Sequence, residues 1–360
     1  MKRTHIVTTT EDSGEGSLRD AIARAIDGDA IAFNLTTHGG MGVIASGDFV
    51  TSGKRIIKLT SGEIKFDKIL SIDGGKKIIL DGCNASRIFN CCNSDLTLKG
   101  LELKNGCGAV LATGNVFATD CGFYGNFAKD SGGAMYANGN IFVKKCAFDG
   151  NKAKCAGGAL SCRNGHIAIV SCAFINNAAL DGRGGAVCAK KVSANGSSFM
   201  RNTARHSGGA VNAEGSFVAK RCEFTGNHAD SCGGAVDARQ SFVGECCEFT
   251  DNHAEKDGGA VNVGCGGATM LRCSFEGNRS NKSSSGSAVD AFSSFMSASS
   301  CISAKRCAFK CDDSARENGV MLRARNIAAD HCSFSGKDLA GAVLFNGKTV
   351  SATRCAFKND

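Results

Sequence analysis

The sequence predicts an all-β fold, a parallel β-solenoid in which each coil takes about 25 residues, and three observations lead to this prediction. A unit of about 25 residues repeats along the chain, each unit holds short apolar strips separated by Gly and Asn, and the 360 residues include no Pro. Pro would remove a hydrogen-bond donor from the strand ladder of almost any coil, so its absence fits continuous parallel pairing. Helical repeats are longer, at roughly 33 to 47 residues, and need Leu-rich faces.

The repeat is defined by four rows of residues that recur at nearly constant steps along the chain. The Phe row consists of Phe123, Phe148, Phe174, Phe199, Phe224, Phe249 and Phe275. The Cys row precedes it and consists of Cys121, Cys146, Cys172, Cys222, Cys247 and Cys273, with Ser197 in the equivalent position of one unit. The Asn row consists of Asn126, Asn151, Asn177, Asn202, Asn227, Asn252 and Asn278. Gly-Gly-Ala follows, starting at Gly132, Gly157, Gly184, Gly208, Gly233 and Gly258.

Each row has a physical role if successive coils are stacked about 4.8 Å apart. Phe above Phe predicts an aromatic column in the core. Cys beside it is predicted to be a small buried hydrophobe, and Ser197 indicates that size matters more there than sulfur chemistry. Asn tolerates the left-handed conformation of a turn, and its amide is expected to bond to the Asn of the next coil. The Gly pair supplies positive φ or close packing where the chain bends.

The chain is predicted to have one main solenoid with a capped N-terminal end. Residues 1–35 are expected to form a capping segment with a short amphipathic helix at Ser17–Ile26, and residues 36–55 a Gly-rich connection. Residues 56–360 are predicted as the solenoid, roughly 12 coils of three short strands each. The Ser-rich stretch at about 280–300 is predicted as an enlarged loop.

The paired motifs Phe-x-x-Asn and Gly-Gly-Ala-[Val/Leu/Met] resemble the repeat signature of the chlamydial-type polymorphic outer-membrane proteins. They run here from Phe123 and Asn126 to Phe275 and Asn278. The opening stretch at residues 10–22 is similar to the N-terminal cap of many bacterial right-handed β-helix surface proteins. The resemblance implies a right-handed, single-stranded parallel β-helix that is exported, displayed on the cell surface and active in adhesion.

Location is predicted from the first residues and from the cysteines. A basic start is followed by no apolar stretch, so the sequence as it stands predicts no signal peptide and a cytoplasmic location. A surface or extracellular location is expected instead if the chain is exported by another route or is part of a longer autotransporter-like protein. No transmembrane helix is predicted. The 21 cysteines are odd in number, and so many thiols fit a reducing compartment.

No catalytic residue, cofactor site or metal site is predicted, and the chain is expected not to be an enzyme. The enzymatic alternative is a polysaccharide lyase or hydrolase of the β-helix type, which needs clustered carboxylates. Asp312-Asp313 is the adjacent acidic pair of the solenoid, His166 has no acidic neighbour in sequence, and Trp is absent from the chain. The clustered cysteines lack the spacing of a zinc site.

Basic residues also recur at repeat spacing. His228 and His253 occupy equivalent positions, with Arg279 next, and are predicted to lie on a solvated turn or to form a short basic row. Basic pairs are expected near one corner of the coils, at Lys144-Lys145, Lys190-Lys191, Lys220-Arg221 and Lys305-Arg306. They either keep the chain soluble or form a ridge that binds an anionic glycan. No motif specific for nucleic acid is present.

Two non-enzymatic functions follow. The first is a rigid rod, a surface-displayed adhesin-like or scaffold subunit whose partner is a host or cell-surface macromolecule. The second is a filament subunit whose partner is itself, because an open strand edge at a coil end is a template for another chain. The assembly ends are predicted at Phe357 in the last coil and at Leu18, Ile22 and Ile26 in the cap.

Overall fold

The computed structural model describes residues 2–35, 53–281, 286–291, 301–310, 320–336 and 345–359. Within them the chain is almost entirely β structure and forms a parallel β-solenoid of about 12 turns with a spacing of about 25 residues. The predicted fold class is therefore confirmed. Most of the predicted connection at 36–55 and the acidic pair Asp312-Asp313 lie outside the described residues.

The secondary-structure elements follow one another in three groups. The N-terminal coils contain β1 (Thr4–Val7), α1 (Leu18–Arg24), β2 (Ala30–Phe33), β3 (Arg55–Lys58), β4 (Ile64–Phe66), β5 (Leu70–Asp81), β6 (Phe89–Cys91), β7 (Leu96–Lys104), β8 (Val110–Ala112) and β9 (Val116–Thr119). The middle coils contain β10 (Gly122–Tyr124), β11 (Phe127–Ala128), β12 (Met135–Ala137), β13 (Ile141–Lys144), β14 (Ala147–Asp149), β15 (Lys152–Ala153), β16 (Leu160–Val170), β17 (Ala173–Ile175), β18 (Ala178–Ala179), β19 (Val187–Asn195), β20 (Ser198–Met200), β21 (Thr203–Ala204), β22 (Val211–Ala213), β23 (Ser216–Lys220), β24 (Glu223–Thr225), β25 (His228–Ala229), β26 (Val236–Ala238), β27 (Ser241–Glu245), β28 (Glu248–Thr250), β29 (His253–Ala254), β30 (Val261–Val263), β31 (Ala268–Leu271), β32 (Ser274–Glu276) and β33 (Arg279–Ser280). The C-terminal coils contain β34 (Gly286–Asp290), β35 (Cys301–Lys305), β36 (Ala308–Lys310), β37 (Val320–Arg323), β38 (Asn326–Asp330), β39 (Ser333–Gly336), β40 (Phe345–Asn346), β41 (Thr349–Thr353) and β42 (Ala356–Asn359).

A middle coil has four sides, and the strands of each side pair in parallel with their equivalents in the adjacent coils. The first side carries the Phe row and includes β10, β14, β17, β20, β24, β28 and β32. The second side consists of the two-residue strands β11, β15, β18, β21, β25, β29 and β33. The third side follows Gly-Gly-Ala, and the fourth leads back to the first; β16 and β19 supply both. The prediction of three strands per coil missed the second side, because two residues are too few to show an alternating pattern.

The Gly-Gly-Ala row marks the bend between the second and third sides. Gly157 has a φ of 61°, in the left-handed region that favours glycine. Gly158 is packed so closely that a Cβ there would lie 2.1 Å from the carbonyl oxygen of Gly185 in the next coil. Two different requirements, one for backbone conformation and one for space, therefore explain why two glycines recur together.

The N-terminal segment contributes to the stack as well as capping it. β1 pairs with β2, and β2 pairs with β5, so the two strands extend the fourth side. Helix α1 packs against β1 and β4, and its Leu18 and Ile22 are buried. Ser17 caps the helix, since its hydroxyl accepts a hydrogen bond from the Asp20 N–H at 3.2 Å. The helix ends at Arg24, before Ile26, because Ala25 is extended.

Part of the Ser-rich stretch that was predicted as a loop is a strand. β34 (Gly286–Asp290) lies within it and pairs with β30 and β37 on the third side. Ala288 and Val289 are buried there, as the Ala-Val pairs after Gly-Gly are in the preceding coils. Serines around this apolar pair concealed a strand that repeats the earlier pattern. The rest of the stretch, residues 282–285 and 292–300, lies outside the described residues.

Candidate binding groove

The predicted Phe row forms one continuous column of rings. Consecutive rings from Phe123 to Phe275 are stacked with centroids 4.6–4.9 Å apart. The column continues through three further rings, Phe309, Phe334 and Phe357, at 5.1–5.3 Å. The rings of the middle coils are buried, so the column is a core element and leaves partner binding to the outward-facing residues.

The predicted Asn row forms a buried hydrogen-bonded ladder. The amide nitrogen of Asn177 donates to Asn202 Oδ1 and to the carbonyl of Phe148, each at 3.0 Å. Its Oδ1 accepts from the backbone N–H and from the amide of Asn151. All four hydrogen-bonding positions of the side chain are therefore used, which is how a polar residue is tolerated in the interior.

The Cys row lies beside the Phe column. Its thiols are buried, and the Cys172 thiol donates to the carbonyl of Val170 at 3.3 Å. The Ser197 hydroxyl makes the equivalent bond to Asn195 at 3.1 Å, which explains why Ser fits this position. Elsewhere on the third side, burial raises the pKa of Cys188 to about 12, so that thiol stays protonated and unreactive.

A turn of one residue joins the fourth side to the first in every middle coil, just before the Cys row. Lys145 and Arg221 adopt positive φ there, at 53° and 48°. Lys144-Lys145, Lys220-Arg221 and Lys305-Arg306 lie at this corner, as expected from their spacing. Lys190-Lys191 does not, because it falls inside the long strand β19. The corner therefore carries a broken basic row.

A longitudinal groove with a volume of about 850 Å³ runs along this corner. It extends from Lys76 to Arg221 and crosses every coil between them, a distance of roughly 29 Å at 4.8 Å per coil. Small residues line much of it, namely Gly100, Gly122, Ala147, Ala173, Gly196 and Ser198. Because these side chains are short, the groove is open along its length and suits an extended ligand.

An aromatic residue lines the groove in the third of the seven coils that it crosses. The ring of Tyr124 lies across Gly122, where a Cβ would come within 2.5 Å of the ring carbon Cε2. Burial and the nearby carboxylate of Glu102 raise the pKa of Tyr124, so its hydroxyl remains a hydrogen-bond donor. Glu102 is itself paired with Lys54. This cluster offers a ring face and a donor to a bound chain.

The charged residues of the groove are arranged for binding more than for acid catalysis. Asp120 pairs with Lys76 at 3.0 Å, and this contact lowers the pKa of the Asp120 carboxyl. A general acid needs a raised pKa, so Asp120 is unsuited to protonate a leaving group. The guanidinium of Arg221 donates to Asn195 at 2.8 Å and is held at the rim. Four cations and three carboxylates line the groove.

A second polar ladder, on the third side, was not predicted. Asp237 is half-buried and accepts hydrogen bonds from the amides of Asn212 at 2.8 Å and Asn262 at 2.6 Å. Burial raises the pKa of Asp237. Two coils further, Arg323 contacts buried Asp290 at 2.8 Å. The signal was available, because a polar residue recurs directly after the Ala-Val pair in these coils.

The predicted assembly ends differ in accessibility. Leu18 and Ile22 are 1% and 3% exposed, so they pack in the interior of this chain and offer no docking surface. Ile26 is 58% exposed, but it lies beyond the helix. In the last coil, Phe357 is 53% and Val350 42% exposed. That apolar surface is one that a further coil, of this chain or of another copy, would cover.

The fold and the groove together define a β-solenoid repeat protein with an open longitudinal surface. Two of its coils, at residues 145–163 and 221–239, match the model of the Chlamydia polymorphic membrane protein repeat. Both stretches begin at the groove corner and run through the Phe, Asn and Gly-Gly-Ala rows, so the predicted resemblance is confirmed. Comparison with curated proteins and with solved structures returned no match. Among the described helical residues, none form a span long and apolar enough to cross a membrane.

Proposed function

We propose that this chain is a non-enzymatic interaction protein, a rigid adhesin-like or scaffold solenoid displayed on a cell surface that binds an acidic polysaccharide along its groove. The observation that carries the proposal is the groove itself, which crosses successive coils and has Tyr124 and basic residues at its rim. A linear polymer matches a site about 29 Å long better than a compact small molecule does. The net charge of +8 favours approach of a polyanion.

The binding site is tested by charge reversal within the groove and outside it. K145E combined with R221E places two carboxylates at the rim and is expected to weaken binding of a sulfated or carboxylated polysaccharide at least roughly tenfold. K152E is the matched control, because Lys152 is exposed on the second side. Titration calorimetry at two salt concentrations provides the measurement. Equal weakening by K152E, or no binding by the native chain, would contradict the proposal.

The non-enzymatic part is tested with the same polysaccharides. The native chain is incubated with each polymer, with and without calcium, and new reducing ends or unsaturated products are measured. We expect none, because two of the three groove carboxylates, Glu102 and Asp120, are engaged with lysines and only Glu223 remains for acid–base chemistry that needs a pair. If the native chain forms such products and D120N does not, the binding proposal would be replaced by a catalytic one.

Display is tested on cells that express the natural gene. Labelling of intact cells with an antibody against the solenoid is expected, together with loss of the label after external protease. Labelling only after the cells are permeabilised would contradict display and leave the groove experiments unaffected.

End-to-end assembly is the second candidate, and the exposed Phe357 and Val350 favour it. If copies stack there, electron microscopy of the concentrated chain shows filaments, and F357D reduces them to short rods. Rods of one short length in the native chain would exclude this candidate. The buried Leu18 and Ile22 argue that the cap would have to dock through other residues.

A further inference from the structure

The second side of the solenoid brings two histidines and two carboxylates to one place on the surface. β25 and β29 pair in register, with His228 opposite His253. The next residues, Ala229 and Ala254, are buried. Because side chains alternate along a strand, the residues that follow, Asp230 and Glu255, face outward with the histidines. The result is a square of two imidazoles and two carboxylates across adjacent coils.

The distances among three members of this square suit a metal ion, and the fourth, Asp230, adjoins one of them. The ligand atoms of His228, His253 and Glu255 all lie within 4.8 Å of one another. His228 Nε2 is 2.9 Å from Asp230 Oδ1, and His253 Nε2 is 3.8 Å from Glu255 Oε1. Ligand atoms around tetrahedral zinc stand about 3.4 Å apart, given bonds of roughly 2.0–2.1 Å. Small side-chain rotations therefore suffice to close the site.

The backbone beneath the square is fixed by the fold. The N–H groups of His228 and His253 donate to the carbonyls of Asn202 and Asn227, at 3.0 and 2.9 Å. The N–H groups of Asp230 and Glu255 donate to the carbonyls of Ala204 and Ala229, at 3.1 and 3.0 Å. The buried Asn ladder lies directly before both strands. Rigid support of this kind reduces the conformational cost of holding an ion.

The neighbouring coils limit the site to one ion. The outward residues of the coil before it are Thr203 and Arg205, and those of the coil after it are Arg279 and Asn281. Asn281 contacts His253 Nε2 at 3.1 Å and Glu255 at 2.5 Å, so it closes this edge of the site, and a metal ion bound to that nitrogen replaces its contact with His253. In the seven described strands of the second side, the combination of imidazole and carboxylate occurs in these two coils only.

We infer that His228, His253, Asp230 and Glu255 bind one divalent transition-metal ion, of which zinc is the best match. A ligand set of imidazole and carboxylate suits zinc. It disfavours calcium and magnesium, because these ions prefer oxygen ligands only. Two carboxylates and two neutral imidazoles balance the charge of the ion. The bound ion links two adjacent coils. Its site lies on a different side of the solenoid from the groove, so the inference does not depend on the proposed function.

The experiment must separate this site from the cysteines, which also bind zinc. The full chain is stripped with a chelator, its accessible thiols are alkylated with iodoacetamide, and zinc chloride is titrated in by calorimetry. We expect one equivalent to bind, and we expect H228A and H253A each to weaken that binding at least roughly tenfold. Cobalt added in place of zinc should give no thiolate charge-transfer band, since nitrogen and oxygen are the ligands.

A matched control is present in the chain itself. His331 Nδ1 lies 2.8 Å from Asp330 Oδ1, but its neighbour in the next coil is Arg354 rather than a second histidine. H331A should therefore leave zinc binding unchanged. Circular dichroism verifies folding, and H228Q and H253Q repeat the test with polar side chains. No zinc uptake by the native chain, or unchanged uptake in the His228 and His253 variants, would overturn the inference.

Discussion

The middle coils and the C-terminal coils share the Phe column but not the Asn ladder. In the middle coils, one Phe and one Asn recur in each coil up to Phe275 and Asn278. The step to the next Phe, Phe309, is longer, yet the two rings still stack 5.1 Å apart. Apolar stacking is non-directional, so extra residues between strands leave it intact. The Asn ladder needs an Asn three residues after each Phe, and the sequence has Asp312, Lys337 and Asp360 at these positions, which lie outside the described residues.

The largest effect is expected from removing a ring inside the column. F174A leaves a cavity between Phe148 and Phe199 and should lower the free energy of unfolding by about 3–5 kcal/mol. F357A removes a ring that is 53% exposed and should cost about 1 kcal/mol or less. Urea unfolding followed by circular dichroism compares them. Equal losses would show that the column is not the core of the middle coils.

The Asn ladder gives the next largest effect, and it is confined to the middle coils. N177A removes the acceptor of the Asn151 backbone N–H, one of the two acceptors of the Asn151 amide and a donor to the Phe148 carbonyl, and should cost about 3 kcal/mol. N176G is the control, because Asn176 is exposed and has a φ of 53° that glycine adopts freely. Its effect should stay within about 0.5 kcal/mol. A loss for N176G as large as that for N177A would contradict the ladder's role.

In the polar ladder of the third side, the carboxylate of the middle coils has neutral partners and that of the C-terminal coils has a charged partner. Asp237 has amide partners and a pKa raised by burial, whereas Asp290 faces Arg323. D290N removes the fully buried partner of Arg323 and leaves it only the half-buried Asp257 at 3.2 Å, so it should cost about 2–3 kcal/mol. D237N should cost less, about 1 kcal/mol or less at pH 7, because removal of a half-buried charge offsets the loss of one of the two acceptors that Asn212 and Asn262 use.

The raised pKa of Asp237 also predicts how its contribution to stability depends on pH. Because the folded pKa of Asp237 lies above its unfolded value, this residue favours folding most at low pH. Its contribution falls as pH rises from the ordinary value of 3.8 through the raised pKa. Because lowered carboxyl pKa values elsewhere, such as that of Asp29, act in the opposite direction, the measurement is the difference between the native chain and D237N in denaturant titrations. The native chain should lose stability relative to D237N as the pH rises through this range, and a difference that does not change with pH would contradict the raised pKa of Asp237.

The smallest effect is expected from the Cys row, equally in both regions. C172S in the middle and C332S near the C-terminal end each replace a thiol that bonds to the carbonyl two residues earlier. A serine hydroxyl makes the same bond at Ser197, so each loss should be about 1 kcal/mol or less. A loss of several kcal/mol in either region would mean that sulfur packing matters more than size.

The repeat rows were predictable because each is a local pattern that stacking makes identical in every coil. Phe174 could be assigned to the core from its spacing alone, and the Asn-to-Asn bonding was expected from the same spacing. The row was also expected to take the left-handed conformation of a turn, but the positive φ falls one residue earlier, on Asn176, and Asn177 is buried. The second side was missed because His228–Ala229 is too short to show a period. The groove was missed because Tyr124, Lys145 and Arg221 belong to different coils, and only their shared corner brings them to one surface.

The sequence by itself determined the class of fold, the length of a coil and which residues form its interior ladders. These follow from periodicity, since in-register stacking repeats one local choice many times. Only the tertiary structure decided which outward residues meet. Leu18 is buried, Phe357 is exposed, and two histidines 25 residues apart become neighbours next to two carboxylates. The physical reason is that side-chain proximity across coils depends on turn geometry and register, which no single stretch of sequence contains.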